Sequence, residues 1–180
     1  AAEAQQPRKV YRIGYLSAGS SAVRTNVLAL LQGLRDLGYV EGRDFVMEYR
    51  FAEGQPEQLP GLAADLVRAR VDVIVTVGTP ATFAAMRATE TIPIVSASAG
   101  FLVERGFVKS LARPGGNVTG VTTQVTFFKL YQLLKEAAPK VARVVYLYDP
   151  ASALPDTVDR LTSQAKAMKV ELQLVALRDP

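Results

Sequence analysis

Apolar residues along this chain change their spacing about once every ten residues, and each change marks an element. Val10 to Leu16 reads as a strand and runs into the small polar loop Ser17-Ala18-Gly19-Ser20-Ser21. The spacing then turns helical through Val23, Val27, Leu30, Leu31, Leu34 and Leu37, with Gly38 where a left-handed carboxyl cap belongs. Phe45 to Phe51 alternates as a second strand. Leu59 to Ala69 follows as a second helix, with Arg68 and Arg70 at its end, where positive charge suits the helix dipole. Five of the seven residues from Val71 to Val77 are apolar and four are valine, a β-branched run too short for a helix and suited to a strand covered on both faces. Ile92 to Ala97, after the turn of Thr91 and Pro93, is a fourth strand that ends in Ser96-Ala97-Ser98. Residues 101 to 112 read as a short helix stopped by Pro114-Gly115-Gly116, and Asn117 to Val121 as a fifth, short strand.

Strands joined by helices through short loops predict a doubly wound α/β sheet, because parallel strands need crossovers and the helices must cover both faces. Three loops then meet at one rim: Ser17 to Ser21, Gly78 to Ala81 and Ser96 to Ser98. In the second, Gly78 allows a sharp turn, the Thr79 hydroxyl caps the next helix, Pro80 takes the first helical position, and the amides of Ala81 and Thr82 point outward. Any strand-to-helix turn can use such residues. Three loops rich in hydroxyls and small side chains, all following carboxyl ends of strands, predict more: a pocket that binds a small polar ligand through hydroxyls and backbone amides.

After Val121 the pattern restarts. Phe127, Leu130, Tyr131, Leu134 and Ala138 mark a helix, Ala142 to Tyr148 a strand, Asp149 to Ser152 a loop, residues 154 to 168 a helix and Val170 to Leu177 a strand. Arg143-Val-Val-Tyr-Leu147 faintly repeats Arg12-Ile-Gly-Tyr-Leu16, which predicts two lobes of similar build. The expected organisation is a flexible segment 1–9, an amino-terminal lobe 10–121 and a second α/β lobe over 122–180 that is incomplete, since one strand-helix-strand unit cannot cover both faces of a sheet. Tyr148 and Asp149 end a strand of that lobe and would face the first rim across a cleft, although Asp149-Pro150 also serves as a plain turn initiator.

Composition narrows the chemistry. The chain has neither Cys nor His, which removes thiol nucleophiles, imidazole bases, the usual zinc sites and disulfides together. Paired acids and a Ser-x-x-Lys arrangement beside the rim are also missing, so the expectation is a protein that is not an enzyme, with no cofactor and no metal. With 49% apolar residues the chain has material for a real core. Its net charge of +4 is spread without a run, so neither a nucleic-acid nor a membrane-binding patch is expected. No segment approaches the ~20 apolar residues of a membrane span, and AAEAQQPRK has the small, polar look of a terminus left by signal-peptide cleavage. Gly14 to Gly19 lacks the GxGxxG spacing, which argues against a dinucleotide site.

Ser110 to Val121, SLARPGGNVTGV, resembles a signature of bacterial ABC-transporter substrate-binding proteins of the TrpX-like family. IGYLSAG, QGLRDLGYVEGRDF, VDVIVTVGTPAT, TIPIV and LLKEAAPKVARVVYLYDP are similar in the same order, from Lys9 to Pro180. The resemblance implies two Rossmann-like lobes of the type I periplasmic-binding-protein fold, hinged near Thr122, Thr123 and Gln124, and an exported, periplasmic protein that passes a solute to a membrane permease. It implies amino acids, aromatic ones among them, or related small organic molecules as ligands. Such a ligand would lie against Ser17, Ala18, Gly19, Ser20, Gly78, Thr79, Pro80, Ala81, Ser96, Ala97, Ser98, Tyr148 and Asp149. Phe101, Tyr148 and Tyr15 could give an apolar wall, and a carboxylate on the ligand would suit the amides of Ala81 and Thr82 and the hydroxyls of Ser17, Thr79 and Ser98. Ser96 to Arg105 departs from the family's Asp-Pro-Val-Gly-like segment. A small α/β enzyme or a ligand-sensing domain using the same strand-end pocket are the alternatives.

Overall fold

The computed structural model describes residues 9–100, 102–103, 105–122, 127–148 and 157–177. The elements run β1 (Tyr11–Ser17), α1 (Thr25–Asp36), β2 (Phe45–Phe51), a 3₁₀ turn (Pro56–Gln58), α2 (Leu59–Arg68), β3 (Val73–Val77), α3 (Thr79–Ala88), β4 (Ile94–Ala99), β5 (Val118–Thr122), α4 (Phe127–Ala137), β6 (Arg143–Tyr148), α5 (Thr157–Ala167) and β7 (Glu171–Ala176). They fall into two compact units, Ala1–Thr123 and Gln124–Pro180.

In the first unit five parallel strands are ordered β2-β1-β3-β4-β5. Strand alternation divides the core in two. Ile13, Tyr15, Phe45 and Val75 pack with Val27, Leu30, Leu31 and Leu34 of α1 on one face. Leu16, Ile74, Ile94 and Val118 pack with Leu59, Ala63 and Leu66 of α2 and Ala81, Ala84 and Ala85 of α3 on the other. Fully burying one leucine or isoleucine contributes ~1.5–3 kcal/mol, and Leu16, Leu59, Leu66, Ile74 and Ile94 are all at or below 1% exposure, so this second face anchors the unit. The doubly wound parallel sheet expected from the sequence is therefore present, with β3 central.

Several expectations need correction. Val23 lies before α1 and Leu37 after it, both widely exposed, because the helix is shorter than its apolar spacing suggested. The described part of 101–112 forms turns and bends, not a helix: Gly106, Phe107 and Val108 fold back on Val103 and Leu102 through backbone bonds. Leu102, Phe107 and Val108 are buried in the main core, so their helix-like spacing reflects packing of a compact loop. The strand β4 also runs on through Ser96 to Ala99, two residues past its expected end.

The SLARPGGNVTGV run acts as a stitch between β4 and β5. The Ser110 hydroxyl accepts from the Arg113 amide at 3.0 Å, and the Lys109 amide donates to the Pro114 carbonyl at 2.8 Å. The Asn117 side chain donates to the Thr89 and Ile92 carbonyls at 3.1 and 2.9 Å, fixing the turn that precedes β4. The Asn117 side-chain amide thus satisfies two loop carbonyls, and the Ser110 hydroxyl a loop amide.

In the second unit β6 and β7 pair in parallel, and Tyr131 of α4, Leu161 and Ala165 of α5 and Val170 are buried. Val145 and Leu147 of β6 are 56% and 59% exposed, so among the described residues the two-stranded sheet has one face left bare.

Candidate functional site

Strand order alone locates a site. The chain moves from β1 outward to β2, then returns past β1 to β3, so the loops after β1 and β3 leave toward opposite faces of the sheet. Open α/β sheets bind ligands in the crevice at such a reversal, outside the carboxyl ends of the strands. Here the flanking loops are Ser17–Ser21 and the Gly78–Ala81 turn, with the end of β4 beside the latter.

The Gly78 turn answers to geometry. Gly78 has φ 85 and ψ 159, open only to glycine at low cost, and it occupies the cap position before α3. Thr79 is therefore the first helical residue and Pro80 the second, so the expected capping role of Thr79 is corrected. Its hydroxyl accepts instead from the Gly100 amide at 3.0 Å. In return the Ser98 hydroxyl accepts from the Gly78 amide at 3.2 Å. The two bonds form a reciprocal clasp between the β3–α3 turn and the end of β4. Gly78, Thr79, Pro80 and Ser98 are all half-buried, a setting in which such bonds hold geometry and still leave a face for a ligand.

The outward amides of Ala81 and Thr82 are also corrected. Both residues are fully buried, and the Thr82 amide donates to the Gly78 carbonyl at 3.2 Å. Ser96 likewise lies beneath the rim at 0% exposure. Its hydroxyl accepts from the Thr82 hydroxyl at 3.3 Å and from the Ala99 amide at 3.1 Å, while Thr82 meets Thr76 at 2.7 Å. Alternation explains this cluster: Thr76 and Ser96 sit on the α3 side of neighbouring strands, where a buried hydroxyl must find a partner. It supports the turn from below.

The first loop is held from within and from β2. The Ser17 hydroxyl accepts from the Gly19 amide at 3.1 Å and the Ser20 hydroxyl from the Ala22 amide at 3.2 Å. The Ser21 amide donates to the Glu53 carboxylate at 2.9 Å, and the Ser21 and Ser20 hydroxyls reach the same group. Those bonds hold the Glu53 carboxyl below the ordinary value of 4.5. Ser17 is buried and Ala18 and Ser20 are half-buried, while Gly19 is exposed at the tip. Since the ionised form is the bound one, the contribution of Glu53 is complete above pH 4.5 and disappears as pH falls through the lower folded value. An NMR titration of the Ser21 amide is expected to show its midpoint below 4.5; a midpoint at or above that value would contradict the contact.

Beside the rim, between α1 and the sheet, lies a cavity of about 300 Å³. Tyr15, Val75 and Val77 form its floor, Asn26, Ala29 and Leu30 of α1 its roof, and Ala97 and Ser98 its edge. Tyr15 packs edge-on against Tyr49 and tilted against Phe51, and burial, then Tyr49, pushes its phenol above the ordinary range, so it stays neutral. Sequence reasoning missed Asn26, Ala29, Leu30, Val75 and Val77. The helical spacing of α1 already placed Leu30 on the sheet side, but not the gap beside it. A larger groove of about 550 Å³ between Lys140, Arg143 and Gln173 sits at the amino ends of β6 and β7, the rim that open α/β sheets do not use.

The structure thus brings together Ser17, Ala18, Gly19 and Ser20 on one loop and Gly78, Thr79, Pro80, Ala97 and Ser98 on the adjoining segments, and takes Ala81 and Ser96 into the interior. Tyr148 ends β6 in the second unit, half-buried, with its carbonyl accepting from Leu177 at 2.7 Å. Thr122 is the last residue of β5 and pairs with Ala99. Asp149, Thr123, Gln124 and Phe101 lie outside the described residues. Among those residues no group of three metal-ligating side chains is found, and no helix is long and apolar enough to cross a membrane.

Comparison with known proteins agrees with this architecture. A family model described as ABC transporter substrate binding protein matches residues 19–179. A tyrosine-binding protein of Clostridioides difficile (strain R20291) is 31% identical over 143 residues, which is 79% of this chain and 41% of that protein. The crystal structure of a conserved domain protein from Vibrio cholerae superposes with a TM-score of 0.77 at 30% identity, over 94% of this chain and 58% of that one. An ABC domain from Streptococcus pneumoniae in complex with L-Trp gives 0.76 at 24% identity over the same shares, a likeness of fold. The chain therefore spans about half the length of these proteins. It belongs to the family of ABC transporter substrate-binding proteins.

Proposed function

We propose that this protein is the solute-binding component of an ABC importer, exported to the periplasm, where it captures a small organic solute bearing a carboxylate and passes it to the permease. The observation that carries the reading is the juxtaposition of a polar rim and an apolar cavity at the reversal of strand order. Hydroxyls and amides of Ser17–Ser20, Thr79 and Ser98 suit a carboxylate. The cavity beneath α1 suits an apolar or aromatic side chain, and its volume lies at the lower end of the ~300–1,000 Å³ typical of small-molecule sites. Similar proteins support this chemistry: one is named for binding tyrosine, and two of like fold hold L-Trp and, in an R. palustris solute binding protein (TM-score 0.66, 18% identity), benzoate. The groups proposed to meet the solute are hydroxyls and backbone amides, which suit binding, so the reading is capture without catalysis.

Native mass spectrometry of protein taken directly from its expressing cells, followed by mild denaturation, tests this. One carboxylate-bearing amino acid or aromatic acid is expected. Release of a nucleotide, or of a neutral sugar, would overturn the proposal.

A further inference from the structure

Glu53 occupies a backbone conformation that a glutamate avoids. Its φ is 48 and that of the next residue, Gly54, is 80, with the turn closed by the Gln55 amide on the Ala52 carbonyl at 2.8 Å. Two central residues at positive φ are the pattern of a type I′ turn, which favours Asn, Asp and Gly. Two other non-glycine residues share the left-handed region among the described residues, Arg70 and Lys169, and each is the second residue past a helix end, where that conformation is common. Glu53 has no such excuse. It follows β2, at the carboxyl rim.

Its surroundings supply a reason. The Ala52 amide donates to the Ser17 carbonyl and the Gly54 amide to the Ala18 carbonyl, both at 2.9 Å, so the turn docks against the start of the first rim loop by backbone alone. From this turn the far half of the loop is reached through the Glu53 side chain, at the Ser21 amide and the hydroxyls of Ser20 and Ser21, while the Ser20 and Ser21 carbonyls accept from the Val23 amide and the Arg24 guanidinium on the α1 side. Strained residues that persist at a binding rim are held there by what their side chains do. We infer that Glu53 is a positioning residue, which bridges from β2 to fix Ser17–Ser21 in its ligand-receiving arrangement without touching the ligand. The inference rests on the proposed function for its ligand half and on the fold for the rest.

The two halves separate in one experiment on the protein, comparing Glu53→Gly with Glu53→Gln. Glycine relaxes the turn and removes the bridge; glutamine keeps an acceptor oxygen for the Ser21 amide. For Glu53→Gly we expect a melting temperature equal to or above that of the parent. We also expect exchange of the Ser20, Ser21 and Ala22 amide hydrogens at least ~10-fold faster in the ligand-free protein. Affinity for L-tyrosine is expected to fall about 10-fold. Glu53→Gln should stay within about threefold of the parent in both exchange and affinity. Unchanged exchange in Glu53→Gly would overturn the bridge, and faster exchange with undiminished L-tyrosine affinity would overturn its role in binding. Should the parent itself bind no L-tyrosine, the exchange comparison still decides the bridge, and the failure lies with the proposed ligand class.

Discussion

Replacing Gly120 by alanine is expected to destabilise the first unit by about 4 kcal/mol, near the top of the range for single substitutions. Gly120 has φ 141, and a Cβ built on it would lie 2.0 Å from the Ser96 carbonyl oxygen and 2.6 Å from the Ser96 nitrogen. Those are main-chain atoms of the paired strand, in register with Gly120 just where the β4–β5 pairing shifts between Ser96 and Ala99. A side chain in the way could rotate; a strand backbone cannot. The extra carbon must therefore push β5 off β4, and the loss reaches Val118, fully buried in the main core. In thermal unfolding followed by circular dichroism, a fall of ~12 °C corresponds to that energy for a chain of this size. Gly61→Ala is the control. Gly61 sits in α2 with nothing within 4 Å of a built Cβ, so alanine there should be neutral or stabilising by ~0.5–1 kcal/mol. Equal melting temperatures for Gly120→Ala and the parent would show that β5 does not approach β4 as described.

The double substitution Thr79→Ala with Ser98→Ala is expected to weaken solute binding about 100-fold, each single change about 10-fold, since a hydrogen bond to a charged group is worth ~1.5–3 kcal/mol. The two hydroxyls do two things. They clasp the β3–α3 turn to the end of β4 through the Gly100 and Gly78 amides, and they stand at the rim where a carboxylate would meet them. A hydroxyl that accepts from an amide still carries its own proton, so Thr79 can bond Gly100 and a ligand oxygen at once. Loss of the clasp alone leaves two amides short of an acceptor and should cost the fold ~1–2 kcal/mol, well below the effect on binding. Isothermal titration with the solute recovered from cells measures the first quantity and denaturant unfolding the second. An unchanged affinity in the double variant would remove both residues from the site.

Much of this was legible in the sequence because the physics involved is local. The valine run of β3 and the helical spacing of α1 and α2 depend on neighbours within a few residues, and they predicted the parallel sheet. Errors arose where contacts distant in sequence decide. Leu102, Phe107 and Val108 have a helix's spacing but are pinned by their own loop against the core. Ser96 and Thr82 look like rim residues in one dimension, yet strand alternation and the turn at Gly78 direct them to each other. Glu53 carried no signal of its own, since neither its left-handed backbone nor its reach to Ser21 is written near it. The SLARPGGNVTGV run is instructive in another way. It suggested the family, and in the structure its Asn117 and Gly120 serve the β4–β5 junction, so a family signature can record a packing need apart from the ligand.

In the proposed function the rim after β1, β3 and β4 receives the solute. Its most direct test is to follow the backbone amides of ¹⁵N-labelled protein by NMR while the recovered solute is added. The largest shifts are expected at Ser17–Ser20, at Gly78 and Thr79, and from Ala97 to Gly100, with the groove at Lys140, Arg143 and Gln173 silent. Shifts concentrated in that groove, with the three rim segments unmoved at saturation, would contradict it.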